Sequence, residues 1–288
     1  MVEYLFAGFS VGGQYALIAI GYTMVYGILR LINFAHGDLF MVSGIIMIYL
    51  SASLPVYISI PLVILLTVLL GVLIERVAYK PLRSAPRMSV MISAIGVSYL
   101  LQNFVLYITG GLVKKYPSLP FLGTRMTLFG IKDKMVIFVT PVVAIVLMLL
   151  LMLLIKKTKI GLAMRAASTD FETAQLMGVK INRVISFTFI VGSALAAVGS
   201  MLYFTKFTGV SPTAGALPGL KAFIAAVFGG IGSIPGAVIG AMFIGIIENL
   251  AVALDLALYK DAFTFALLII VLVVKPTGLF GEKMTEKV

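Results

Sequence analysis

Residues 135–155 read MVIFVTPVVAIVLMLLLMLLI and contain no charged side chain. A helix needs about 20 apolar residues to cross the hydrocarbon core of a bilayer, so this run is long enough to span a membrane. A helix that is apolar around its whole circumference has no polar face to present to water. This stretch therefore predicts an integral membrane protein rather than a soluble domain.

Similar apolar runs recur along the whole chain. The predicted spans are 4–27, 37–54, 56–75, 88–109, 135–155, 184–206, 234–252 and 260–275. The run 218–230 is too short to cross upright, and it predicts a half-helix that forms a tight hairpin or a re-entrant element with 234–252. We therefore predict an all-α, polytopic membrane protein with about eight or nine transmembrane helices. Residues 1–288 would form a single transmembrane domain.

Composition excludes several other classes of protein. Hydrophobic residues make up 61% of the 288 residues and charged residues 11%, against roughly 45–50% and about 25% in soluble domains. An ordinary soluble domain, a disordered chain and a nucleic-acid-binding domain are thereby excluded, although the net charge is +11. The absence of cysteine excludes disulfides, thiol catalysis and cysteine-bound metal clusters.

The basic residues predict the orientation in the membrane. Two polar loops, 76–87 and 156–183, are rich in lysine and arginine and are separated by two spans, so they share a face. The tail adds Lys275, Lys283 and Lys287. The positive-inside rule places all three segments, including the C-terminus, in the cytoplasm. The loop 110–134 is also basic, but the parity of the spans places it outside.

Small residues follow a helical spacing in two places. Gly8, Gly12 and Ala16 recur every fourth residue, as do Gly232, Gly236 and Gly240, which predicts two helix faces on which backbones approach closely. The run Phe228–Gly236, FGGIGSIPG, breaks any continuous helix. Broken helices often line substrate sites in transporters. A P-loop is excluded there because no Lys-Ser or Lys-Thr pair follows the glycines.

Few polar residues fall within the spans. Glu248 is either a functional group at depth or a helix-end residue that reaches the interface. Gln14, Gln102 and Asn103 predict hydrogen bonds between helices. The segment Asn33–Asp38, NFAHGD, holds the only histidine, and one His with one Asp is too few for a metal site. Asp38 is either the cap of the following helix or a functional residue.

The loop 156–183 predicts a short amphipathic helix. Ser168 or Thr169 would cap its N-terminus, with Asp170 in the first turn, and Gly178 stands where a C-terminal glycine belongs. Such a helix either docks into a groove of a soluble partner or lies on the lipid surface. No nucleophile elbow, catalytic dyad or redox ligand set is readable, so we expect no enzymatic activity.

Three segments carry a resemblance to a known family. The pattern Gly161-x3-Arg165-Ala166-x3-Asp170-x3-Ala174-x3-Gly178 resembles the cytoplasmic loop of permeases of ATP-binding-cassette importers. Together with 31–38 and 220–236, it is similar to the branched-chain amino acid permease family of the LivH type. Asp170 stands where many relatives have Asn, which leaves its capping role intact. The three segments are specific for the permease family and less so for the solute.

The resemblance implies a transmembrane subunit that forms the translocation pathway and does no covalent chemistry. Its partners would be a second homologous permease, two cytoplasmic ATPase subunits that bind ATP and Mg, and an extracytoplasmic solute-binding protein. The location would be the plasma membrane, which is the inner membrane in a Gram-negative source. The coupling positions would be Gly161, Arg165, Ala166, Asp170, Ala174 and Gly178. The pathway or gating positions would be Asn33, His36, Gly37, Asp38, Gly229, Gly230, Gly232 and Glu248.

Two alternatives remain open at this point. The first is a permease for another small solute, such as urea, a short amide or a sugar. The second is a secondary transporter driven by an ion gradient, which would predict buried, paired carboxylates in the spans. The sequence offers few such residues, and this scarcity argues against the second alternative.

Overall fold

The computed structural model describes residues 1–281 apart from 30, 32, 84, 129 and 276. The tail lysines Lys283 and Lys287 lie outside the described residues. The α-helices are α1 Val2–Leu29, α2 Ala35–Ser53, α3 Val56–Ile74, α4 Arg87–Thr109, α5 Met135–Lys157, α6 Lys159–Thr169, α7 Phe171–Leu176, α8 Ile181–Lys206, α9 Ala216–Gly229, α10 Ile234–Ala253 and α11 Lys260–Val274. A π-helical turn, Glu75–Tyr79, and a 3-10 turn, Lys80–Leu82, extend α3, and the 3-10 turn Ala257–Tyr259 precedes α11.

The helical membrane fold is confirmed. Among the described residues, eight helices are long and apolar enough to cross a bilayer: α1, α2, α3 with its extension to Leu82, α4, α5, α8, α10 and α11 with the preceding turn. The short helix α9 is the ninth predicted segment. Each apolar run of the sequence thus forms a helix at its predicted place, because length and apolar content alone decide whether a segment can span.

Two short strand pairs lie at one end of the bundle, and one of them joins two different loops. Strand β1, Lys114–Lys115, pairs antiparallel with β4, Gly209–Val210, and β2, Arg125–Leu128, forms a hairpin with β3, Ile131–Lys134. The loop 110–134 therefore lies beside the connection that follows α8. Helix α5 separates these strands from α6, so the two polar loops 110–134 and 156–183 lie at opposite ends of the bundle.

Helix α1 is the centre of the bundle and crosses α10 at glycine. A Cβ built on Gly12 would lie 2.6 Å from the Met242 Cα, and a Cβ built on Gly8 would lie 2.9 Å from the Ile246 Cα. From the other side, a Cβ on Gly245 would lie 2.6 Å from the Gly12 Cα. The predicted close approach at Gly8 and Gly12 is confirmed. Lipid supplies no hydrophobic drive for helix association, so this backbone proximity maximises van der Waals contact.

The helical structure is interrupted between α9 and α10, as the glycine run predicts. Gly230 and Gly232 have φ values of 101° and 100°, a conformation that favours glycine. Ser233 caps α10 by accepting a hydrogen bond from the Gly236 N–H at 3.2 Å. Gly232 lies in this connection, so the prediction of one helix face for Gly232, Gly236 and Gly240 is wrong: the helix starts only at Ile234. The re-entrant topology stays a prediction.

The segment after α11 forms hydrogen bonds to the end of α9, next to this interruption. After α11 the backbone N–H of Leu279 donates to the Phe228 carbonyl at 2.9 Å, and that of Phe280 donates to the Gly229 carbonyl at 3.0 Å. These carbonyls belong to the last turn of α9, where helix carbonyls have no intrahelical donor. The segment 277–281 thus satisfies the C-terminal end of α9.

Candidate translocation site and coupling segment

Helix α2 begins deep inside the bundle. The imidazole of His36 lies so close to Gly21 of α1 that a Cβ on Gly21 would be 2.6 Å from His36 Cε1. Helix α1 continues for eight residues beyond Gly21 to Leu29, which places the start of α2 about 12 Å short of the end of α1 at the usual helical rise. Gly37 packs against Gly215 and Gly219, at the start of α9. Two helix N-termini therefore meet at depth.

Asp38 projects from this start of α2 towards α4. Its side chain is 2% exposed, and it accepts hydrogen bonds from Ser98 Oγ at 2.5 Å and from Gln102 Nε2 at 2.9 Å. The prediction that Asp38 caps the helix is wrong. Phe34 holds the N-cap position without a side-chain cap, and Asp38, one turn into the helix, finds donors on α4 instead.

The hydrogen bonds between helices that were predicted for Gln14, Gln102 and Asn103 are confirmed for the two glutamines only. Gln102 bonds between helices, as expected, and Gln14 donates to the Leu202 carbonyl of α8 at 3.4 Å. Asn103 donates to the Tyr99 carbonyl of its own helix at 2.8 Å, so the interhelical prediction for this residue is wrong. Asn103 is exposed on the surface of the bundle rather than packed between helices.

A cavity of 200 Å³ lies beside Asp38. Asp38, Ser98 and Gln102 form its polar wall, and the aromatic rings of Tyr22, Phe34 and Phe223 border it. Tyr22 and Phe223 meet edge-on with ring centroids 6.0 Å apart, and Phe34 and Phe223 lie 6.5 Å apart. The start of α9 provides the remaining wall through Gly215, Ala216, Gly219 and Leu220. A small solute with one charged group and one apolar group would find both kinds of surface here.

Asn33 and His36 lie on the opposite side of α2. Tyr79 donates to Asn33 Oδ1 at 2.7 Å, and His36 is 3% exposed with its ring edge-on to Tyr22 at 5.1 Å. Both residues border a narrow cleft with Gly71 and Phe189. Of the predicted pathway positions, Gly37 and Asp38 thus line the cavity, whereas Asn33 and His36 pack behind it. Gly229, Gly230 and Gly232 lie at the far end of α9.

Glu248 belongs to a buried charge cluster. Its carboxylate is 2.7 Å from Lys221 Nζ and accepts hydrogen bonds from Tyr15 at 3.1 Å and from Thr264 at 3.0 Å. Lys221 Nζ is also 2.6 Å from Asp261. Glu248 and Lys221 are each 4% exposed, so the interpretation of Glu248 as an interfacial helix-end residue is wrong. The cluster joins α1, α9, α10 and α11.

Lys221 was missed by sequence reasoning. It stands alone in the apolar run 218–230, and an ionisable residue in such a run is a functional candidate by default. That signal was present in the sequence. Glu248 and Asp261 both reach Lys221, and of these two carboxylates Glu248 is the buried one. Among the residues that the structure describes, no three His, Asp or Glu side chains gather as metal ligands.

The polar segment after α5 folds as two helices rather than one. Thr158 caps α6 by accepting from the Gly161 N–H at 3.1 Å. Gly161 packs against the end of α5, where a Cβ would lie 2.5 Å from the Ile155 Cα. Asp170 ends α6 and caps α7, accepting from the Thr173 N–H at 3.1 Å. The predicted caps Ser168 and Thr169 are wrong, since both hydroxyls donate to the Arg165 carbonyl of α6.

Gly178 ends α7 as predicted. Its φ is 87°, its N–H donates to the Gln175 carbonyl and the Val179 N–H donates to the Ala174 carbonyl, both at 3.0 Å. This pair of bonds is the Schellman motif. Of the remaining predicted coupling positions, Ala174 is buried, Ala166 is partly buried and Arg165 is exposed. The segment therefore has a defined shape rather than the character of a flexible linker.

Helix α7 presents an apolar tip away from the bundle. Leu176 and Met177 are 87% and 82% exposed. On the inner side, Phe171 and Gln175 border a cavity of 740 Å³ that reaches the end of α1 and the start of α8. Helix α7 is thus held at its two ends and faces open space between them.

An ion pair at the end of α3 lies beside this cavity. Arg83 bonds to Glu75 and to Asn182, and Ser186 of α8 donates to Glu75 at 3.0 Å. Burial lowers the pKa of the Arg83 guanidinium from its ordinary value, and the Glu75 charge acts in the opposite direction. The pair fastens the end of α3 to the start of α8, directly beside the connection from α7.

A polytopic helical bundle with a polar site at depth and a shaped helix pair at one end defines an integral membrane protein of the permease class. The family model described as "Branched-chain amino acid transport system / permease component" matches residues 4–272. The chain belongs to this family.

Similar proteins align with most or all of this chain. It is 40% identical to the high-affinity branched-chain amino acid transport system permease protein LivH of Escherichia coli, over all of this chain and 97% of that protein. It is also 40% identical to the corresponding permease protein BraD of Pseudomonas aeruginosa, over all of this chain and 98% of that protein. Identity to a probable branched-chain amino acid transport permease protein LivH of Methanocaldococcus jannaschii is 30%, over 92% and 88% of the two chains.

Proposed function

We propose that this chain is the transmembrane subunit of an ATP-driven importer that brings leucine, isoleucine or valine into the cell. The observation that carries the proposal is that the family match spans both the cavity at Asp38 and the α6–α7 segment. The first offers a place for a small solute at depth. The second offers a surface through which another subunit can act on the bundle.

The α6–α7 segment would be the cytoplasmic coupling element. Basic residues in 76–87 and 156–183 favour the cytoplasmic side for this end of the bundle, and with it the C-terminus. Leu176 and Met177 would enter a groove of an ATPase subunit, because an exposed apolar helix tip suits such docking. Gly161, Arg165, Ala166, Asp170, Ala174 and Gly178 would give the segment its shape.

The chain would work within a larger complex. A solute-binding protein would deliver the amino acid to the outer face, and a second, homologous permease would share the pathway. ATP, with Mg, would bind to two cytoplasmic ATPase subunits. Their closure would pull the coupling elements and open the pathway outward, and hydrolysis would reset it. The bundle would supply two discrete packings whose populations the ATPases bias.

The test is uptake by the reconstituted complex. The chain is co-expressed with its candidate partners and placed in proteoliposomes with the solute-binding protein, and radiolabelled leucine, urea and ribose are compared. We expect leucine uptake that requires both ATP and the binding protein. ATP-dependent uptake of urea or ribose instead would replace the amino acid as solute. Uptake by this chain alone under an ion gradient would overturn the importer proposal.

A substitution just after α7 tests the coupling assignment. Gly178→Val should lower leucine uptake at least tenfold, while membrane insertion is retained. A β-branched side chain at φ 87° costs about 1–3 kcal/mol locally, which would dismantle the end of α7. Gly110→Val is the matched control, because Gly110 also ends a helix with a positive φ but lies at the opposite end of the bundle. Uptake is measured per amount of inserted protein, and equal uptake by the two variants would contradict the assignment.

A further inference from the structure

We infer that the cavity beside Asp38 is a transient binding site for the amino acid on its way across the membrane, with the Asp38 carboxylate as the partner of the α-ammonium group. This inference rests on the proposed function and assigns the solute a place within the bundle.

The cavity has the size and chemistry of a small zwitterion with an aliphatic tail. Its 200 Å³ lie below the roughly 300–1,000 Å³ of sites for drug-sized ligands, so the site would admit only a small solute. Tyr22, Phe34 and Phe223 provide the apolar contact that an aliphatic side chain requires. Gly215 and Gly219 of α9 also line the cavity, and both pack against Gly37 of α2.

Asp38 is already oriented for a cation. Ser98 and Gln102 each donate one hydrogen bond to it, one to each carboxylate oxygen. An ionised carboxylate has about four acceptor positions, so both oxygens can still accept from an ammonium group. The two donors are neutral, and they hold the carboxylate in place without cancelling its charge. Among the residues bordering this cavity, Asp38 is the one that carries a formal charge.

The start of α9 offers a counterpart for the solute carboxylate. In the first turn of α9 the Leu217 N–H has no intrahelical acceptor, whereas the Ala216 N–H donates to the Thr213 carbonyl at 3.1 Å. The helix dipole at this end favours an anion. This end of α9 borders the same cavity. The ammonium of one amino acid would thus meet Asp38 and its carboxylate would meet the start of α9.

The cavity is accessible from one side of the bundle. Of the residues that line it, Leu220 of α9 is 39% exposed and Gln102 of α4 is partly exposed. The opening lies between α4 and α9.

Two measurements on the full complex test the site. The first is the amount of leucine imported per ATP hydrolysed by Asp38→Asn, a near-isosteric change that removes the charge. We expect this ratio to fall about tenfold or more, since loss of one partner of a buried charge pair commonly costs that much. ATP hydrolysis stimulated by the binding protein should persist, whereas a purely structural defect would lower both. Glu3→Gln, an exposed carboxylate at the start of α1, should change neither.

The second measurement reports occupancy directly. The chain has no cysteine, so Leu220→Cys gives it a single thiol, and the label is counted on this subunit after the complex is separated. Leucine supplied with ATP and binding protein should slow this labelling, and the same leucine should leave Leu258→Cys, at a site 95% exposed and outside the cavity, unaffected. Protection should be lost when Asp38→Asn is added.

The outcomes separate this inference from the proposed function. If the unmodified complex imports leucine while Asp38→Asn keeps the same leucine-to-ATP ratio, the Asp38 site is overturned and the importer stands. Should Asp38→Asn fail to assemble, the labelling of Leu220→Cys decides alone, and absence of protection overturns the site. If the unmodified complex imports no leucine under ATP, the proposed function itself fails.

Discussion

Replacement of Lys221 by methionine should be among the most damaging single substitutions in the bundle. Lys221 is the cation of a cluster in which Glu248 is 4% exposed. Without it, Glu248 would remain as a buried carboxylate facing only the neutral donors Tyr15 and Thr264. Breaking a buried ion pair by removing one partner costs about 3–5 kcal/mol. We expect a marked loss of folded protein in detergent, measured by size-exclusion yield and thermal unfolding.

The double variant Lys221→Met, Glu248→Gln separates charge from packing. Replacement of a whole buried pair by neutral groups is often close to neutral in stability, because no uncompensated charge is left. The second substitution should therefore restore much of the yield that Lys221→Met loses. If Lys221→Met alone were as stable as the unmodified chain, the cluster would not hold α9 in place. Asp261, which is partly exposed, would be expected to tolerate Asp261→Asn better.

Leucine at position 245 should separate α1 from α10. A Cβ alone at Gly245 would lie 2.6 Å from the Gly12 Cα, and this obstacle is backbone, which cannot move aside as a side chain can. Overpacking of a core commonly costs about 1–3 kcal/mol and occasionally more, and leucine adds three further heavy atoms beyond the Cβ. We expect Gly245→Leu to insert into the membrane but to give little folded, monodisperse protein.

Gly96→Leu is the matched control for this substitution. Gly96 also lies within a spanning helix, α4, but a Cβ there would meet no atom within 4 Å. The two variants make the same change in side-chain volume and helix propensity, so they differ only in what surrounds the site. Gly96→Leu should retain the yield of the unmodified chain. A similar loss in both variants would show that the crossing of α1 and α10 is not decisive.

The spans could be predicted from sequence because the bilayer imposes a simple requirement. Any run of about 20 apolar residues satisfies it, whatever its neighbours are. The glycines at 8 and 12 could also be interpreted, since a four-residue spacing places small residues on one helix face. The break between α9 and α10 followed from glycine and proline in a short run. Each of these signals is local, and each is confirmed.

The polar partners could not be predicted in the same way. Asp38 was compatible with a cap, and only the rotation of α4 about its own axis brings Ser98 and Gln102 to it. Ser168, Thr169 and Asp170 are all capping residues, and the point at which α6 ends selects Asp170. Glu248 and Lys221 lie far apart in sequence, so their pairing depends on the packing of α9 against α10.

The length of α9 has a consequence for how the chain enters the membrane. Its 14 residues cover about 21 Å, against about 30 Å of hydrocarbon, and a lysine at the centre of a helix disfavours insertion by about 2.5–3.5 kcal/mol. The insertion machinery would therefore recognise this segment poorly by itself. We expect α9 to reach its place late in biogenesis, once α10 offers Glu248 as the partner of Lys221 and Gly236 and Gly240 as its packing surface. Defects in those contacts would then appear as wrongly inserted chains as well as unstable ones.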